Sequence, residues 1–205
     1  MFCLRSALIP AFCLLGAFAS TSALADSWVV GLGAGFAERY TYRTLDFSFL
    51  SRPYEVRLGD APIITVSATS SADGGLVLQT GIDAFRADSQ EGLSAEMAAI
   101  SAGPRWSPRG SGPYVELLPA IFFARWTDTH IGGFDFLPSN APPYSLTSVR
   151  PGLIGGAGIR GFVHRAGFEF GVSYRASADW PGLAGEGEYQ GVRQWVAGGK
   201  LLFRL

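Results

Sequence analysis

The sequence predicts an all-β protein. It is an antiparallel up-and-down β-barrel that crosses a membrane with eight strands, or with ten if one loop segment supplies an extra pair. Three observations predict it. The last stretch alternates Trp195, Ala197, Gly199, Leu201, Phe203 and Leu205 with a set carrying Gln194, Lys200 and Arg204, a period-2 strand with one apolar and one polar face. The chain is 48% hydrophobic, yet past the N-terminal segment no run approaches the ~20 apolar residues of a spanning helix. The connections between predicted strands alternate between tight turns and a second set that is long at 38–62 and 128–147, medium at 178–190 and short at 88–92, as in barrels whose hairpin turns lie on one side of a bilayer. The 27 glycines and 12 prolines further disfavour helices.

Residues 1–25 read as a secretory signal: Arg5, an apolar run from Ala7 to Ala19, and a small-x-small cleavage site in Ser22-Ala-Leu-Ala25 that leaves Asp26 first. Cys13 follows Phe12, which does not suit lipid attachment at that cysteine. Residues 26–205 are then one barrel domain. Both cysteines, Cys3 and Cys13, fall in the signal, so the remainder has neither a disulfide nor a thiol nucleophile. A net charge of −1, with Lys200 as the only lysine, gives no basic excess for nucleic acid.

The first predicted strand, Trp28 to Phe36, puts Val30, Leu32, Ala34 and Phe36 on one face and Gly31, Gly33 and Gly35 on the other. Glycine weakens a strand, so three on one face imply a crowded interior. The spacing and the lack of a following helical pattern argue against a nucleotide-binding loop. Residues 38–62 read as a long loop, in which the alternation of Leu45, Phe47 and Phe49 marks a raised hairpin or the extra strand pair. Ile63 to Thr69 is the second strand, and Ser71-Ala-Asp-Gly-Gly75 a turn. Leu76 to Ala87 is the third, with Gln79, Gly81 and Asp83 inward; Leu93 to Trp106 is the fourth, with Ser101, Gly103 and Arg105 inward. Glu96 falls in the outward phase of that strand, so either it stands above the bilayer or a bulge near Ala98 shifts the phase.

The fifth strand, Tyr114 to Thr127, follows the turn 107–113, and residues 128–147 form a second long loop. The sixth strand, Val149 to Val163, turns at His164-Arg-Ala166 into a seventh, where Phe168, Phe170, Val172 and Tyr174 oppose Gly167, Glu169, Gly171, Ser173 and Arg175. A loop at 178–189 leads to the eighth. Aromatic residues sort to two levels: Trp28, Trp106, Tyr114, Phe162 and Phe203 near the tight-turn ends, and Phe36, Phe85, Trp126 and Tyr174 near the others, as interfacial girdles would.

The first strand, Gly167-Phe-Glu-Phe-Gly-Val-Ser-Tyr174 and the terminal Leu201-Leu-Phe-Arg-Leu205 together resemble the OmpA/OmpX-type family of eight-stranded outer-membrane barrels. The resemblance is one of architecture. It implies location in the outer membrane of a Gram-negative cell, contact with outer-membrane lipid and lipopolysaccharide, and an assembly signal at Leu201, Phe203 and Leu205. The family usually ends on an aromatic residue read by the outer-membrane assembly machinery, which the resemblance implies as a partner; here Leu205 is last and Phe203 stands two before it.

The inward phase collects Asp83, Glu116, Glu169, Arg105, Arg150, Arg160, Arg175 and Lys200. An eight-stranded lumen is just wide enough to be filled by side chains, and buried charges must pair. The expectation is an ion-pair network plugging the lumen, with Glu169 facing Arg160 or Arg175; a narrow small-solute pore is the alternative. His130 lies near Asp128, Asp135 and Ser139 in the second long loop, and His164 lies in a tight turn. Lipid A deacylases resemble this chain in architecture, but their motif places a histidine two residues before Ser-Asn-Ala, where this chain has Leu137 before Ser139-Asn140-Ala141. Without that base the serine is not activated. The sequence therefore points to no enzyme, no metal and no cofactor. It predicts a structural or surface-interaction barrel whose long loops meet an unidentified external ligand or surface. A lipid A-modifying barrel enzyme using His130 and a secreted soluble sandwich or lipocalin-like binder are the remaining alternatives.

Overall fold

The structure is a computed structural model and describes residues 28–38, 40–43, 55–70, 75–88, 93–128, 144–181, 188–189 and 191–205. The period-2 segments become strands, in chain order β1 (Trp28–Ala37), β2 (Tyr40–Arg43), β3 (Glu55–Leu58), β4 (Ala61–Ser70), β5 (Gly75–Asp88) and β6 (Leu93–Ser107). They continue as β7 (Gly112–Asp128), β8 (Tyr144–Val163), β9 (Ala166–Ser177), β10 (Trp180–Pro181), β11 (Glu188–Tyr189) and β12 (Arg193–Arg204). Eight of them close an antiparallel barrel in the order β1-β4-β5-β6-β7-β8-β9-β12. The seam is a full ladder between β1 and β12, from Val29 opposite Arg204 to Ala37 opposite Val196. Closure leaves no unpaired barrel edge.

The two short pairs, β2 with β3 and β10 with β11, stand outside the barrel order. No extra pair joins the wall among the described residues: β2 and β3 pair with each other, from Tyr40 opposite Leu58 to Arg43 opposite Glu55, and Ala61 and Pro62 of the expected loop already belong to β4; Leu45, Phe47 and Phe49 lie outside the described residues.

The connections joining β4 to β5, β6 to β7 and β8 to β9 are all tight and share one end with Trp28 and Leu205. The three longer segments, 38–60, 129–143 and 178–192, share the other, the long-loop end, together with one short connection at 89–92. All three described residues with a left-handed backbone lie in the tight hairpins: Gly75 (φ 90°), Gly112 (φ 120°) and His164 (φ 58°). Tight antiparallel hairpins need such a residue to match strand twist. β7 and β8 pair as far as Asp128 opposite Tyr144, so β8 begins before the expected Val149. At 17 and 20 residues they exceed the ~9–11 that cross a bilayer; β6 accompanies β7 to its end, with Leu93 opposite Asp128, while β8 runs on beyond β9, whose pairing stops at Gly152 opposite Ser177.

The register settles the position of Glu96. β5 and β6 pair without a shift from Gly75 opposite Ser107 to Asp88 opposite Ser94. No bulge intervenes, and Glu96 lies opposite Arg86, 3.7 Å from its guanidinium, on the outer surface near the long-loop end.

Candidate functional site

The inward faces build two stacked layers. Toward the long-loop end lies an apolar layer that includes Ala37, Ile63, Phe85, Met97, Leu118, Phe122, Ile154 and Val196. Toward the tight-turn end lies a charged layer. Its centre is Glu169 on β9, 1% exposed, whose carboxylate is 2.8 Å from Arg105 Nη2 and 3.0 Å from Lys200 Nζ. The Tyr114 hydroxyl donates to the same carboxylate at 3.1 Å. Arg105 also lies 3.4 Å from Glu116, donates to Gln79 Oε1 at 3.2 Å, and stacks its guanidinium 3.6 Å from the centre of the Tyr114 ring. Thr69 donates in turn to Gln79. Where the layers meet, Arg175 Nη2 lies 2.8 Å from Asp83, which also accepts from Thr65 at 2.6 Å. A cavity of about 70 Å³ lies among these groups, lined by both polar residues such as Ser67, Asp83 and Ser173 and apolar ones such as Ile154.

Glycines make this layer possible. A Cβ at Gly33 would collide with the Lys200 stem, one at Gly158 would meet the Tyr114 hydroxyl at 2.6 Å, and one at Gly156 would meet Glu116 Oε1 at 3.0 Å. Three long side chains thus lie across a floor without side chains, which is why the inward phases of β1 and β8 are so rich in glycine.

Several placements differ from the sequence expectation. Glu169 pairs with Arg105 and Lys200, not with Arg160 or Arg175; Arg175 has Asp83 instead. Arg160 lies opposite Glu169 in register but forms no ion pair among the described residues. Arg150 does not join the network: it sits toward the long-loop end, where its Nε donates to the Asp179 carbonyl at 2.7 Å. Tyr114 and Phe85 are not girdle residues. They are buried in the lumen, as their phase with Glu116 and Asp83 requires. Phe162 is also inward in phase and carries the Arg204 guanidinium 4.0 Å from its ring centre. Gln79 and Thr69, which sequence reasoning had not drawn into the network, are uncharged and gave only their phase as a signal.

The outward faces are apolar around the whole wall. Leu32, Phe36, Ile64, Leu78, Leu117, Ile121, Leu153, Ile159, Phe170, Val172, Trp195 and Leu201 are all exposed, with Phe36 at 71% and Leu201 at 63%. Phe203 and Leu205 continue this face to the tight-turn end. Outward glycines are covered by rings from β9: a Cβ at Gly161 would meet the Phe168 ring at 2.9 Å, and one at Gly199 the Phe170 ring at 2.8 Å. Tyr174 and Trp195 pair on the same face with centroids 5.0 Å apart. Next to the long-loop end the wall changes character, with Arg86, Asp88 and Glu96 ion-paired at the surface. His130, Ser139 and the signal segment 1–25 lie outside the described residues.

No protein-family model matches the chain, and no curated protein matches it. Solved structures do. Ail, the attachment invasion locus protein of Yersinia pestis, is similar at 11% identity over 85% of this chain and 98% of that one, with a TM-score of 0.48. Neisserial surface protein A is similar at 14% identity over 86% and 96%, with a TM-score of 0.49. The outer membrane protease OmpT of Escherichia coli is similar at 10% identity over 89% and 98%, also with a TM-score of 0.49.

Proposed function

We propose that this chain is an outer-membrane barrel of a Gram-negative cell, with a plugged lumen and a surface-interaction role carried by its long-loop end. One observation carries the reading: the barrel is inside-out. Charges face the lumen, while large apolar side chains form a continuous exposed band around all eight strands. A soluble protein rarely exposes an apolar patch of more than a few hundred Å². In hydrocarbon the same band is favourable, and closure leaves every ladder hydrogen bond paired. Residues 1–25 supply export, and Leu201, Phe203 and Leu205 the assembly signal. The tight turns face the periplasm and the long-loop end faces outward, the loop asymmetry of bacterial barrels.

The plugged lumen is supported by the two layers. The acids and bases that sequence reasoning collected as candidates are mostly committed to one another, and this reading assigns them no catalytic step. External partners are then lipopolysaccharide and a ligand or surface met by the long loops. The test is to express the full chain in a Gram-negative host, isolate outer membranes, and compare boiled with unboiled samples on a gel. A membrane-bound band whose mobility changes on boiling supports the barrel. A soluble, unshifted band overturns it. Steady single-channel current in planar bilayers would replace the plug by the small-solute pore.

A further inference from the structure

Between the rims, the inward cations Arg105, Arg160, Arg175 and Lys200 outnumber the inward carboxylates Asp83, Glu116 and Glu169 by one. The excess falls on Arg160. It is 6% exposed, its Nε is buried without a hydrogen-bond acceptor, and it has no ion-pair partner among the described residues. Glu116 and Glu169, the carboxylates on the tight-turn half of β7 and β9, already hold Arg105 and Lys200. Glu169 stands opposite Arg160 in register but is ion-paired with Arg105 and Lys200, so the Arg160 guanidinium has no carboxylate of its own, and an undercompensated buried charge is destabilising.

A second cation stands at the tight-turn mouth. The guanidinium of Arg204 lies against the Phe162 ring, and its Nη2 lies 3.8 Å from where a Cβ on Gly110 would stand, in the turn between β6 and β7. Phe162 is one inward position nearer the mouth than Arg160, about 6.6 Å along the strand. Arg109 and Arg165 flank the mouth as exposed cations, and the Arg165 carbonyl accepts from the Arg204 amide at 2.8 Å.

We propose that Arg160 and Arg204 form a binding site for a phosphate-type oxyanion at the tight-turn mouth of the barrel. Guanidinium groups suit this ligand because their planar forks bond phosphate oxygens bidentately. The oxyanion comes either from the headgroup of an anionic phospholipid in the adjoining leaflet or from free phosphate. The lipid source rests on the membrane reading above; the site chemistry does not.

The experiment uses the full chain, folded in maltoside micelles that contain no phosphate, after the gel shift on boiling has established the barrel. Two probes are titrated: phosphatidylglycerol against phosphatidylcholine, read by native mass spectrometry, and inorganic phosphate, read by ³¹P line broadening. We expect one retained phosphatidylglycerol, preferred over phosphatidylcholine, and a loss of affinity of about tenfold or more in Arg160→Met and in Arg204→Gln. Arg86→Gln, at the opposite end, keeps wild-type binding. Phosphatidylglycerol binding without phosphate binding identifies the lipid source, and phosphate binding alone identifies the free ion. The proposal is overturned if the wild type binds neither probe, if both mouth variants bind as the wild type does, or if Arg86→Gln loses as much as they do. Should Arg160→Met fail to fold, the exposed Arg204→Gln decides alone. A wild type without a gel shift refutes the membrane barrel and leaves the phosphate arm to judge the site.

Discussion

Replacing Glu169 by glutamine tests whether the charged layer holds the barrel together. The substitution keeps the shape of the side chain and removes the charge to which Arg105 and Lys200 are bound at 2.8 and 3.0 Å. Deleting one partner of a buried ion pair costs roughly 3–5 kcal/mol, because the other charge is left uncompensated. Two features soften the loss here. Arg105 keeps Glu116 at 3.4 Å, and Lys200 is 19% exposed, so its flexible stem can turn the ammonium toward the mouth. The expected cost is therefore at the low end, about 3 kcal/mol. With a urea slope of about 2 kcal/mol per molar, the unfolding midpoint falls by about 1.5 M. The assay is urea unfolding in micelles, followed by tryptophan fluorescence and by the unboiled gel band. Adding Lys200→Met to the same chain removes the cation left without a partner and is expected to recover about half of the loss. A single variant within about 0.5 kcal/mol of wild type would refute the reasoning, since it would mean that the lumen charges are solvated. So would a double variant less stable than the single one.

Other consequences are open to direct measurement. Val172→Arg puts a charge midway along the apolar wall and is expected to cost about 2–4 kcal/mol, whereas Arg86→Gln, at the charged rim, stays within about 1 kcal/mol. Equal costs at the two positions, read by unfolding in phospholipid vesicles, would contradict the depth assigned to them. Gly171→Val places a side chain on the Tyr114 hydroxyl, beside its bond to Glu169, and is expected to destabilise by about 1–3 kcal/mol; an unchanged urea midpoint would show that the phenol moves freely. Phe122→Ala removes a fully buried ring from the apolar layer, with an expected loss of about 3–5 kcal/mol by the same assay. N-terminal sequencing of the exported protein is expected to begin at Asp26; an intact Met1 in the membrane fraction would refute cleavage after Ala25.

Much of the wall was legible because a strand has only two faces. Once the phase of β9 was set by Phe168, Phe170 and Val172, every inward residue of that strand followed, Glu169 and Arg175 included. Where residue type was weighed above phase the reading failed: Tyr114 and Phe85 were placed in a girdle as aromatics, though each shares its phase with an inward acid. The partners within the lumen were less legible. Glu169 meets Arg105 from β6, which is not adjacent to β9 in the barrel order, and Asp83 on β5 meets Arg175 on β9 across the interior. Such pairs depend on closure and on the register of all the intervening strands, which no local pattern carries. Arg150 has the right phase for the network, but the phase gives no depth, and the residue lies too near the rim to reach it. Glu96 shows the opposite case: an apparent error of phase was a statement about height.

The layering of the lumen gives it a direction. Hydrocarbon side chains such as Phe122, Ile63 and Met97 fill the long-loop half, so salt ions arriving from that end meet an apolar layer before the charged one. From the tight-turn end the charged layer lies behind Arg204 and Phe162 alone. In the proposed orientation the ions that screen it come from the periplasm, and the interior of the barrel is insulated from changes in salt outside the cell.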